Sequence, residues 1–214
     1  MPPATRASER VRIAVAITAW CGVLLQLWLS LKIAAGNGKT WPAGLVAYFG
    51  FFTVITNWFV AVLFTLPSLG WKSGLLAWLG RHSVAGCATT AILLVALVYH
   101  FLLRELWNPQ GAQWLADIVM HYVVPAGVLA WWWLQSHGQT LEWSMPLRWC
   151  SYPFIYLGYV MVRGEFIDSY PYPFINVHDI GLTRALLNAA GLIAVFLVLG
   201  FGVYGIARAR GQQG

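Results

Sequence analysis

The sequence predicts an all-α membrane protein: a bundle of six transmembrane helices with both termini cytoplasmic, and residues 1–214 in a single domain. Three observations predict it. Only 9% of the residues are charged and 59% are hydrophobic, whereas a soluble domain carries about 25% charged residues. Six windows supply the roughly 20 predominantly apolar residues that a bilayer-crossing helix needs. Thirteen Trp, nine Tyr and eleven Phe suit aromatic belts at both interfaces.

The first window, residues 12–34, is longer than the apolar core of a signal peptide, which runs to about 7–15 residues. More spans follow it, so it reads as a helix that ends at the turn formed by Gly36 and Gly38. The second window, 44–66, stops at Pro67, and Trp71–Leu79 is too short to cross and reads as an interfacial piece. The remaining windows are 83–103, which ends ahead of Pro109, then 113–135, 146–163 and 184–207. Short connections make neighbouring helices antiparallel. No internal repeat or low-complexity stretch is evident.

Basic residues orient the bundle. With the N-terminus inside, Arg6, Arg10, Arg12, Lys72, Arg81, Arg148, Arg208 and Arg210 are cytoplasmic, against Lys32, Lys39, Arg104, Arg163 and Arg184 outside, eight to five. Net charge +6 then reflects cytoplasmic loops and contact with anionic lipid, and no nucleic-acid partner is expected. The expected location is the cell (inner or plasma) membrane. Cys21, Cys87 and Cys150 show neither a disulfide framework nor metal spacing and read as packing residues.

Polar side chains inside these windows carry the functional signal, because they are costly in hydrocarbon and face a protein interior. Thr53 lies about nine residues into the second window and His121 about eight into the fourth, depths of roughly 13 and 12 Å at about 1.5 Å per residue. Both windows enter from the outer side, and His100 and Asn188 also fall in the outer half, which points to a cavity opening outward. Asp117 and His121 are four apart on one helical face. A carboxylate that holds one imidazole nitrogen leaves the other free as a base; the alternative is a pair that only glues helices. Thr53 could be a nucleophile, or could back-bond to its own i−4 carbonyl. Thr56 and Asn57 could contact substrate or an oxyanion.

His100 reads either as a neighbour of the site or as an interfacial histidine, with Arg104 snorkelling to headgroups. His100, Asp117, His121, His178 and Asp179 could in principle gather around a metal, but no ligand motif supports this and no metal or cofactor is expected. The outer loop 163–181 holds Tyr170-Pro-Tyr-Pro-Phe174, which cannot be a regular helix because each Pro biases its predecessor to extended geometry. It suits either a lid, with Tyr172 and His178 near the substrate, or a loop lying on headgroups. The chain has no Gly-x-Ser-x-Gly, no His-Glu-x-x-His and no phosphate-binding glycine loop.

Three segments resemble the androgen-induced protein family of six-span membrane hydrolases, which includes the androgen-dependent TFPI-regulating protein and bacterial relatives. They are Phe51-Phe-Thr-Val-Ile-Thr-Asn57, His121 with Pro125 closely following, and Tyr172-Pro-Phe-Ile-Asn-Val-His-Asp-Ile-Gly181. The interval from His to Pro is one residue shorter here than in the animal pattern, and the loops are differently built. The resemblance implies a threonine hydrolase of fatty acid esters of hydroxy fatty acids, with the nucleophile at Thr53 and the histidine at His121.

The expectation is therefore a membrane hydrolase cleaving a lipid or fatty acyl ester, with Thr53 as nucleophile, His121 as base and Asp117 as orienter. Its partners are that substrate and membrane lipids. The rival is a small transporter or lipid-binding protein in which Asp117 and His121 relay protons, and a non-catalytic scaffold is a third reading. The absence of repeat halves weighs against a transporter.

Overall fold

A computed structural model of the chain describes residues 5–69, 74–136 and 141–211. Among these, the regular structure is entirely helical. In order come α1 (Arg6–Gly36), α2 (Trp41–Tyr48), α3 (Phe52–Thr65), α4 (Gly74–Leu79), α5 (His82–Val98), α6 (Ala112–Ile118), α7 (Val124–Gln135), α8 (Met145–Trp149), α9 (Ser151–Ile167), α10 (Val177–Ile180) and α11 (Leu182–Gly211). A π-helical turn, Tyr99–Leu103, extends α5, and a second, Val119–Val123, joins α6 to α7. Of the interfacial piece expected at Trp71–Leu79, Gly74–Leu79 is helical, while residues 71–73, with Lys72, lie outside the described residues.

Among the described residues, four helical runs are long and apolar enough to cross a membrane: Arg6–Gly36, His82–Leu103, Ala112–Gln135 and Leu182–Gly211. The pair α2 and α3 makes a fifth if it is counted as one crossing. α9 has 17 residues, about 26 Å of helix. Side chains such as Ile155, Leu187 and Val198 point outward at 67–73% exposure, as a lipid-facing surface would.

The window 44–66 is not the continuous helix its composition predicts. α2 and α3 meet at 83° across the short link between them. Counting nine residues at 1.5 Å therefore misstates the depth of Thr53, because the first of them run nearly at right angles to α3. The break is held open by α9. Arg163 donates from Nε and Nη2 to the Val46 carbonyl at 3.2 and 3.1 Å, and from Nη1 to Ser169 at 2.9 Å. Tyr156 and Tyr159 donate their hydroxyls to the carbonyls of Gly50 at 3.0 Å and Phe49 at 3.3 Å. A helix end leaves its last carbonyls without intrahelical partners, and in an apolar bundle each needs a substitute. Gly50 is the residue that lets Arg163 in, since a Cβ there would stand 2.8 Å from the guanidinium carbon.

α1 packs against α3 and α7, and α5 packs against α3, α7 and α11. Small residues set these distances. A Cβ on Gly22 would come within 2.9 Å of Val119 and 3.0 Å of Met120, so α1 lies directly against the second π turn. Close approach of this kind lets van der Waals packing hold helices together in lipid. Asn57 Nδ2 adds a clamp by donating to the Met120 carbonyl at 3.3 Å and to that of Thr53 at 2.9 Å.

Replacing Arg163 with Leu strands the Val46 and Ser169 carbonyls. A buried acceptor left unpaired costs about 1–3 kcal/mol, so with two stranded the variant should lose roughly 2–6 kcal/mol, with Lys restoring part of it. Denaturant titration in detergent reads the difference; an unchanged midpoint for Arg163→Leu removes α9 as the cap of the break.

Candidate functional site

Thr53 is the second residue of α3, so its hydroxyl lies at the start of a helix buried within the bundle. The break decides what that hydroxyl does. Thr18, Thr65, Thr89 and Thr90 each donate to their own i−4 carbonyl at 2.7–2.9 Å. For Thr53 the preceding turn belongs to a different helix axis, and its Oγ1 meets His121 Nε2 at 3.3 Å instead. The back-bonded alternative does not apply to this residue. Its main-chain N–H donates to the Tyr172 hydroxyl at 3.4 Å. First-turn N–H groups lack intrahelical acceptors and sit at the positive end of the helix dipole.

His121 lies in the second π turn, ahead of Pro125. Pro125 has no N–H to give to the carbonyl four residues back, which is that of His121, and the widened turn accommodates this defect. His121 Nδ1 stands 2.9 Å from the Asp117 main-chain oxygen. A carbonyl only accepts, so Nδ1 carries the proton there, and neutral imidazole then presents an unprotonated Nε2 to the Thr53 hydroxyl. This tautomer follows from the partners at each end of the ring.

The Asp117 side chain is nearly buried, at 3% exposure. Its Oδ1 stands 3.4 Å from His121 Nδ1 without forming a hydrogen bond, because the N–H is directed at the main-chain oxygen. Asp117 thus holds His121 through its backbone, while its carboxylate acts on the ring by charge. Tyr99, in the first π turn, stacks on His121 with centroids 3.9 Å apart and planes 17° apart. Its hydroxyl faces the Asp117 carboxylate and the Trp107 indole. The two π turns therefore grip the imidazole from opposite elements.

The other expected residues fall elsewhere. Thr56 is fully buried and pairs with the Tyr152 hydroxyl at 3.1 Å. Asn57 spends its amide N–H groups on the carbonyls already named, so it is a clamp rather than a donor to an oxyanion. His100 pairs with the Tyr122 hydroxyl at 3.1 Å and with Arg104 at 3.4 Å, and does not line the cavity beside His121. His178 is half-exposed, 3.4 Å from Asp168 and 3.9 Å from Glu165. Among the described residues, no three His, Cys, Asp or Glu side chains converge as metal ligands. Tyr172 of the outer loop does reach the site, buried on Thr53 N–H and edge-on to Phe51. Burial pushes its phenol above the ordinary range, which keeps it a hydrogen-bond donor. Asn188 ties this loop to α11 by donating to the Phe174 carbonyl at 2.9 Å.

Thr53 and Tyr172 line two cavities at once. One, about 70 Å³, is almost wholly apolar, with Leu94, Val95, Leu157 and Ile193 among its walls. The other, about 280 Å³, holds His121, Asp117, Tyr99, Gln26, Ser30 and Gln113. Reasoning from sequence missed Tyr99, Gln26, Gln113 and Arg163; of these, Arg163 carried a readable signal, being a charge at the end of an apolar run.

No family model, no curated protein and no solved structure matches this chain.

The tautomer has a direct test. Imidazole ¹⁵N spectra of the protein, assigned with His121→Gln, should show His121 at neutral pH with Nδ1 protonated and Nε2 bare. A protonated Nε2 would turn the ring the wrong way for taking a proton from Thr53.

Proposed function

We propose that this protein is an integral membrane hydrolase that cleaves a lipid ester, with Thr53 as nucleophile and His121 as general base. The observation that carries this reading is the Thr53 hydroxyl 3.3 Å from Nε2 of His121, at the first turn of α3, where an apolar and a polar cavity meet. The distance is just beyond the about 2.6–3.2 Å of a working nucleophile and base, and resting sites are commonly looser.

In this mechanism Nε2 takes the Thr53 proton as Oγ1 attacks the ester carbonyl. The oxyanion is met by the Thr53 N–H and the Tyr172 hydroxyl, which the substrate oxygen separates on binding. The imidazolium that forms sits 3.4 Å from the Asp117 carboxylate, which stabilises it. Collapse breaks the ester C–O bond and returns the proton to the departing alcohol. Water, deprotonated by the same Nε2, then releases the acid from Thr53. No cofactor enters the scheme. Positioned proton transfer contributes about 10²–10⁴ in rate, and each oxyanion donor about 10²–10³.

The reading also takes α2–α3 as one crossing and α8–α9 as another. With the four long helices this gives six spans, both termini cytoplasmic in the cell membrane, and a cavity open to the outer leaflet. The likeness of Phe51–Asn57, His121 with Pro125 and Tyr172–Gly181 to the androgen-induced protein family supports the same assignment, as a bacterial relative, with a fatty acid ester of a hydroxy fatty acid or a similar lipid as substrate.

Thr53→Ala and His121→Ala should each abolish ester hydrolysis while keeping the wild-type unfolding midpoint. The double variant should be no worse than either, because members of one catalytic unit are non-additive. Asp117→Asn should retain partial activity, since the main-chain bond to Nδ1 survives. A proton-relay carrier predicts the reverse, with Thr53→Ala tolerated and Asp117→Asn inactive. That pattern, with no acyl-threonine adduct by mass spectrometry, would overturn the hydrolase.

Reporter fusions or cysteine labelling should put residues 165–180 outside and the loop ahead of α5 inside. A cytoplasmic 165–180 loop would overturn the outward-opening cavity.

A further inference from the structure

We propose, resting on the hydrolase reading, that the alcohol half of the ester occupies the larger cavity and is a neutral polyol with free hydroxyls, a glycerol-type headgroup. The acyl chain then takes the smaller, apolar cavity on the other side of Thr53. Three observations on the larger cavity carry this. Asp117 Oδ1 is buried in its wall and has no hydrogen-bond partner. A carboxylate oxygen only accepts, so what meets it brings a donor. Gln113 Oε1 is also buried without a partner, at the end of a chain in which Gln113 Nε2 donates to Gln26 at 2.8 Å and Gln26 Nε2 donates to Ser30 at 3.3 Å. Finally, none of the seventeen described residues lining this cavity is Lys or Arg.

These facts discriminate between alcohols. Buried polar atoms left unpaired are costly, and a ligand that pairs them gains by that amount. A carboxylate held in this cavity would meet Asp117 as a like charge with no Lys or Arg in the wall to offset it. Of the substrates proposed above, the lining therefore favours the similar lipid, a glycerol ester, over an ester of a hydroxy fatty acid. A plain alkyl alcohol would leave both oxygens stranded. A vicinal hydroxyl satisfies them.

The experiment uses the full chain in detergent micelles and three non-hydrolysable ethers of one alkyl length: a 1-O-alkylglycerol, the alkyl methyl ether and an alkoxy carboxylic acid. Each is added at equal mole fraction, and binding is followed by tryptophan fluorescence, Trp107 being part of the cavity wall. The glycerol ether should bind about tenfold more tightly than either of the others, the worth of one hydrogen bond to a charged group. Gln113→Leu should narrow that gap several-fold. Equal or tighter binding of the acid, or a gap untouched by Gln113→Leu, overturns the proposal. The matching three esters then separate the two readings. Selective ether binding with no ester cleaved supports this headgroup and sinks the hydrolase. Cleavage of all three at equal rates supports the hydrolase and sinks this headgroup.

Discussion

A helix broken inside an apolar bundle exposes main-chain groups that nothing in lipid can satisfy, and the architecture follows from how this one is satisfied. The carbonyl side of the break, at Val46, Phe49 and Gly50, is closed by Arg163, Tyr159 and Tyr156. Those three lie at spacings of three and four along α9, so one helical face does the work. On the N–H side, at the start of α3, the Thr53 N–H reaches the Tyr172 hydroxyl at 3.4 Å. That asymmetry marks the site. Carbonyls are held firmly by a guanidinium and two phenols, while the Thr53 amide is engaged at 3.4 Å, where the substrate oxygen of the proposed mechanism would take it. Discontinuous helices use their N-termini toward anionic groups in the same way.

The imidazole depends on a second relaxation of helical regularity. Two π turns, five residues each, bring Tyr99 and His121 face to face. Without the extra residue in each turn, both rings would rotate away from the position they share. Because Nδ1 is fixed by a main-chain oxygen, the tautomer does not rely on the charge of a side chain. The Asp117 carboxylate then lies between two ends, the imidazole on one side and the cavity on the other.

Much of this was legible beforehand, and the limits have physical reasons. Apolar length alone located Arg6–Gly36, His82–Leu103, Ala112–Gln135 and Leu182–Gly211 closely, because a crossing helix must supply its own hydrogen bonds over a fixed span. The i, i+4 spacing of Asp117 and His121 put them together correctly, yet periodicity could not tell which Asp117 oxygen would face Nδ1. The break within 44–66 left almost no trace. No proline interrupts that window, Gly50 is a common residue, and the partners that make the break tolerable lie more than a hundred residues away. Arg163 reads from sequence as an outer basic residue for the same reason: a helix end far off in sequence claims it. His100 and His178 show the converse, polar residues near the right depth whose partners are Tyr122 and Asp168 instead.

The coupling between break and base makes the site a single device. Asn57 links the Thr53 carbonyl to that of Met120, so α3 and the second π turn are held in one register. Gly22 lets α1 press on that same turn from behind. A shift of α3 along its axis would move Thr53 and Asn57 together, and the distance from Thr53 to His121 would change only if the Met120 contact also broke. The hydroxyl and the ring are therefore kept in reach by main-chain contacts rather than by the 3.3 Å contact itself. A pair positioned in that way can open and close again without rebuilding its surroundings, which is what the proposed mechanism, with two successive proton transfers at one nitrogen, would require.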